Sequence, residues 1–210
     1  MTEDLLLTPA EARVLGVLIE KAATTPDQYP LTANAVMVGA NQKTSREPVM
    51  ELELGEVGHA LRTLEDKKLV RVQHSSRAYR YEYRVDDSFQ LTPPQRAVLC
   101  VLMLRSAQTA GEIFTRSDRI GKFTDIEQVK DTLDRLSRRQ PALVVRLPKQ
   151  PGQREERYMH LLCGAAFAEK AASAVRFEDA PVSSDLAARV AALENEVAEL
   201  RARLDALTTG

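Results

Sequence analysis

The sequence predicts a mainly α-helical chain with small β-hairpins (α+β), built from two tandem copies of one unit and closed by a C-terminal coiled-coil helix. Three observations predict it. "LTPAEARVLGVL", beginning at Leu7, returns as "LTPPQRAVLCVL" at Leu91, with seven of the twelve positions identical. After each copy, the same order of helical and strand-like patterning recurs, the mark of an internal repeat. Beyond residue 182 the apolar residues settle into steps of four and three, the spacing of a heptad seam.

Each copy opens with a helix. Thr8 and Thr92 are natural N-caps, and Pro9 and Pro93 then fall at the first helical position, where a missing N–H costs nothing. In the first copy "LTANAVMVGA" (31–40), opened by Thr32, predicts a second helix. A loop containing Pro48 leads to a third over about 53–67, with Val57, Ala60, Leu61 and Leu64 on one face. Tyr79, Tyr81, Tyr83 and Val85 then alternate with Arg80, Glu82 and Arg84, the period of a half-buried strand. "HSSRA" is the turn of its hairpin.

The second copy predicts helices at 92–106, about 109–116 and about 125–139, the last burying Val129, Leu133 and Leu136 in the frame of Val57, Leu61 and Leu64. "LVVRL" (143–147) and "RYMHLL" (157–162) form a second hairpin around the turn-rich "PKQPGQRE". Three helices and a two-stranded ribbon make a winged helix. The chain therefore divides into a first winged-helix domain at 1–88, a second at 89–163, a linker at 164–182 and a coiled-coil helix at 183–210. In that last helix Leu186, Val190, Leu193, Val197, Leu200, Leu204 and Leu207 form the seam. Arg189 faces Glu194, and Glu196 faces Arg201, across a parallel partner, which favours a parallel homodimer. The alternative is one amphipathic helix folded back on its own domain.

Catalytic chemistry finds no support. His59, His74 and His160 are not spaced as metal ligands, and "HLLC" (160–163) is a lone His–Cys pair. His160 reads as an ordinary hydrogen-bonded strand residue, and Cys100 as a small buried hydrophobe. Gly-rich phosphate loops and nucleophile or zinc-protease motifs are absent from the sequence. We expect a non-enzymatic protein without cofactor or metal. No signal-like or membrane-spanning apolar stretch is visible, so the expected location is the cytoplasm.

Charge is unevenly spread. Residues 1–88 carry 11 basic and 14 acidic side chains, residues 89–163 carry 13 and 8, and residues 164–210 carry 5 and 8. A winged helix grips DNA with its third helix and wing, through Lys and Arg neutralising phosphates. Here both third helices expose carboxylates, so the better cations lie around them. In the first copy these are Lys43 and Arg46 before the third helix, and Arg71, Arg77 and Arg80 on the hairpin. In the second they are Arg116, Arg119 and Lys122 before the third helix, and Arg138 and Arg139 at its end. Arg146, Lys149, Arg154 and Arg157 sit on the hairpin, where Lys149, Arg154 and Arg157 are expected to form a phosphate-gripping wing. The expected function is a dimeric DNA-binding protein of regulatory type; the alternative is a protein–protein adaptor that uses its winged helices as docking modules without DNA binding. Double-stranded DNA, a second copy of the chain and another protein are the expected partners; a membrane is not.

Three segments, "LTANAVMVGANQKTSREPVM" (31–50), "AQTAGEIFTRSDRI" (107–120) and "VVRLPKQPGQREERYMHL" (144–161), resemble the YceH-like family of bacterial proteins. The likeness covers roughly residues 5–163. It implies tandem winged helices and, through that fold alone, DNA binding; it implies no particular activity. The polar run Asn41–Glu47 reads in two ways: a recognition surface for phosphate or protein, or a self-supporting loop in which Arg46 pairs with Glu47 or Glu51.

Overall fold

Both expected openings are capped as the sequence demands. In the computed structural model, which describes residues 6–74, 78–149 and 153–178 (side chains to 173), helix α1 spans Pro9–Thr24 and α5 spans Pro93–Arg105. Thr8 and Glu11 exchange side-chain and backbone bonds in a capping box, as Thr92 and Gln95 do. The first copy continues through α2 (Ala33–Ala40), α3 (Leu54–Asp66), β1 (Val70–His74) and β2 (Tyr79–Tyr83). The second continues through β3 (Gln108–Thr109), α6 (Ala110–Ser117), α7 (Ile126–Ser137), β4 (Val144–Arg146) and β5 (Arg157–His160).

Two elements go beyond the expectation. Short β3 pairs with β5, which also pairs with β4, giving an antiparallel sheet ordered β3-β5-β4. The first copy reduces that extra strand to a single bridge, Leu31 to Tyr81, beside the β1–β2 hairpin. Helix α4 (Val85–Phe89) joins the copies, burying Val85 and Phe89; a single short turn of this kind leaves no periodic signal. The result is a mixed helix-and-hairpin fold of winged-helix-like units.

The core of the unit that reaches Val175 lies where the copies meet. Helix α1 is buried continuously from Glu11 to Ile19, and α5 from Ala97 to Leu104. A helix apolar on all sides is one covered on all sides, and these two cover each other. Gly16 and Cys100 occupy the same place in the repeat, and they meet: the Cys100 thiol donates to the Gly16 carbonyl at 3.3 Å. A Cβ on Gly16 would stand 3.0 Å from Leu104 Cδ2 and 3.3 Å from Met103 Cβ, so glycine is what permits the close crossing. The Leu7 N–H donates to Leu162 O at 2.8 Å, and the Glu47 N–H to Leu104 O at 2.9 Å. One hydrophobic core therefore runs through both copies, within a compact unit reaching Val175. Each Leu or Val withdrawn into it contributes about 1.5–3 kcal/mol.

Within residues 164–182, expected as a linker, α8 occupies Ala165–Glu178. Its Ala168 and Ala171 pack with Ala107, Leu147 and Met159 in a small second core, behind the second hairpin. Alanine favours a helix here, but the weak apolar periodicity of the segment gives no stripe by which to read one. The heptad positions Leu186, Val190, Leu193, Val197, Leu200, Leu204 and Leu207 lie outside the described residues.

Candidate nucleic-acid interface

Helix α7 is presented by the second copy as a third helix should be. Asp125 caps it, accepting from the Gln128 N–H at 2.8 Å, while Val129, Leu133 and Leu136 face the core. Its outer side carries Glu127, Lys130, Asp131, Asp134, Arg135 and Arg138, all exposed. Lys130 is bonded to Glu127 at 2.7 Å, which raises the ammonium's pKa, and Arg138 lies 3.6 Å from Asp134. The helix surface is mixed in sign.

The surrounding cations divide by what they touch. Arg119 and Lys122, in the turn between α6 and α7, are exposed, as are Lys149 and Arg154 flanking the hairpin tip. Exposed Arg146 pairs with Glu156 at 3.3 Å. Lys149 and Arg154 border a cleft of about 470 Å³ between the wing and the first turns of α6 and α7. Lys130 joins them there, as do Glu127, Glu155 and Glu156.

Other expected contacts are partly buried and bonded within the chain. Arg157 does not join a wing cluster; it donates to Ala107 O at 3.1 Å and to the Glu112 carboxylate at 2.9 Å. Arg116 bonds Gln108 and lies 3.7 Å from Glu112. Glu112 also accepts from the Thr109 N–H at 2.8 Å, so one carboxylate ties the cap of α6 to its own last turn and to β5. Arg139 donates to the Phe89 carbonyl. These groups hold the scaffold.

Arg46 is the clearest case. Its side chain is fully buried, and it grips the Glu20 carboxylate at 2.5 and 3.0 Å and the carbonyls of Gly39 and Ser45. Its carboxylate partner is Glu20, 26 residues back on α1, so the guanidinium ties the loop to that helix. Arg13, missed in the sequence, lies beside it, donating to Ala40 O and Pro48 O. Burial, and then the charge of Arg46, lowers the Arg13 pKa to about 10. A charged residue amid the apolar run of α1 was the available signal. Lys43 stays exposed, and exposed Arg80 donates to Pro30 O at 2.8 Å. Exposed Arg71 lies 3.8 Å from Glu82. Arg77 lies outside the described residues.

His160 also departs from expectation. It is buried on β5, stacked on Phe167, and its Nδ1 has no hydrogen-bond partner. Burial lowers its pKa to about 4. Cys100 is fully buried as expected, and burial pushes its thiol well up. Among the described residues no group of His, Cys, Asp or Glu is arranged to hold a metal ion, and no helix is long and apolar enough to cross a membrane.

The family model described as "Protein of unknown function, DUF480" matches residues 7–153. The chain belongs to this bacterial family. It is 54% identical to UPF0502 protein mll4256 of Mesorhizobium japonicum over 208 residues, covering 99% of each protein. UPF0502 protein xcc-b100_4348 of Xanthomonas campestris pv. campestris is 53% identical, over 99% of this chain and 96% of the relative. UPF0502 protein Smlt0097 of Stenotrophomonas maltophilia is 51% identical, over 95% and 93%. The matches thus extend past the winged-helix-like region into the tail.

Proposed function

We propose that this DUF480 protein is a non-enzymatic, cytoplasmic DNA-binding protein of regulatory type, a member of the YceH-like group, that grips duplex DNA with its second winged helix. The observation that supports this reading is where the exposed cations of that half stand. Arg119 and Lys122 lie before α7, and Lys149 and Arg154 lie on the wing. These are the two flanks that a winged helix turns toward the phosphate backbone. The carboxylates of α7 oppose tight base reading by that helix. Binding is therefore carried mainly by phosphate contacts and is steeply salt-dependent.

Dimerisation through the tail completes the reading. Parallel pairing along the seam from Leu186 to Leu207 would present two such surfaces at once, a gain in avidity without new contacts. The test is fluorescence anisotropy of the full chain against random-sequence duplex across a salt series. We expect affinity to fall linearly in log–log form with salt. Absence of binding at the lowest salt would remove the proposal.

A further inference from the structure

We infer that the first winged helix is a protein-docking module, whose α2–α3 face receives a segment of another protein with apolar residues at its centre and Lys or Arg on its flanks. Three of the six large hydrophobic residues most exposed among the described residues fall in this one short region: Val38 at 58%, Val49 at 52% and Leu54 at 49%. Singly exposed apolar residues are ordinary, whereas a cluster marks a contact surface. The local bonding brings them together. Val38 lies one turn before Asn41 on α2, and the Asn41 amide both donates to and accepts from the Leu52 backbone at 2.8 Å. Leu54 opens α3 two residues later, and Arg13 holds the Pro48 carbonyl, next to Val49, from beneath.

The bonds beneath that loop make it a fixed platform. Arg46 and Arg13 occupy its underside, so little ordering remains to be done on binding. Its rim is net acidic: Glu51, Glu53 and Glu56 are exposed around Leu54, against one exposed cation, Lys43, earlier in the loop. That charge selects the occupant. A phosphate backbone is repelled by it. The chain's own C-terminal region, residues 164–210 with 5 basic and 8 acidic side chains, lacks the net positive charge that would complement it. A basic, apolar-centred segment of another protein satisfies both the patch and its rim. This inference stands independently of DNA binding by the second half.

The experiment measures anisotropy of two labelled peptides against the full chain. One carries leucines at helical spacing with lysines elsewhere; the other replaces every lysine by glutamate. The basic peptide is expected to bind, with affinity falling about tenfold or more in V49S/L54S and severalfold in E51Q/E53Q. K149A/R154A, on the opposite wing, is expected to leave it unchanged. Equal binding of both peptides, or wild-type affinity in V49S/L54S, would overturn the inference. So would sedimentation showing self-association that V49S/L54S abolishes, because the occupant would then be a second copy.

Discussion

The two halves share a frame and use their arginines in opposite directions. Beneath the α2–α3 loop of the first, Arg13 and Arg46 are buried; Arg13 donates through its two terminal nitrogens to carbonyls, and Arg46 bonds carbonyls and Glu20. At the matching turn of the second, Arg119 and Lys122 face water. Two of its bonded arginines, Arg116 and Arg157, instead meet at Glu112, which joins α6 to the wing. A sequence count of cations near a third helix therefore measures nothing until each has been followed to its partner. After that sorting, the first half offers an apolar face with an acidic rim, and the second a basic border to a mixed helix.

The sharpest break in this comparison is Arg46→Ala. It leaves Glu20 only the more distant Lys21, 3.7 Å away, and frees the loop; removing one partner of a buried pair costs about 3–5 kcal/mol. Arg116→Ala, between partly exposed groups, costs about 1 kcal/mol or less. Urea denaturation of both variants reads the contrast, and equal losses would dissolve it. The shared frame makes the reverse prediction. Leu61→Ala and Leu133→Ala occupy equivalent, fully buried positions; each is expected to lose about 2–5 kcal/mol, alike within about 1 kcal/mol.

Acid distinguishes the halves next. Val70 pairs with Tyr83 in the first hairpin and Val144 with His160 in the second, so Tyr83 and His160 are counterparts. With its folded pKa depressed from 6.5 to about 4, His160 resists protonation in the native state while the unfolded chain accepts it. Stability is thus complete above about pH 6.5 and declines as pH falls toward 4, by about 2–3 kcal/mol. Tyr83, whose pKa burial raises, adds nothing in that window. His160→Gln should flatten the profile, measured by melting between pH 4 and 7. The smallest effect concerns DNA: K149A/R154A should lower the salt slope by about two, whereas Lys43→Ala in the first half should leave it unchanged.

Much of the frame was legible because capping residues and buried stripes are local signals. Thr8-Pro9, Thr92-Pro93 and the Val57/Leu61/Leu64 spacing each place a helix within a residue or two of its observed ends. The site was less legible. Arg46 and Arg157 look like surface cations in sequence, since their partners, Glu20 and Glu112, are 26 and 45 residues away. Val38, Val49 and Leu54 look like core residues until the burial of α2 and α3 is known. The docking of the copies had a signal of its own: "AVLCVLML" is apolar on every side of its helix, more than a single small domain can cover.

That crossing of α1 and α5, with Gly16 against Cys100, has the geometry of a symmetric dimer interface drawn inside one polypeptide. A true homodimer must carry the same surface twice, so a change that suits one partner is imposed on both copies. Joining the copies end to end lifts that constraint while keeping the seam between them. Each half is then free to change its outer face without imposing the same change on the other, as the apolar, acid-rimmed face of the first and the exposed cations of the second illustrate.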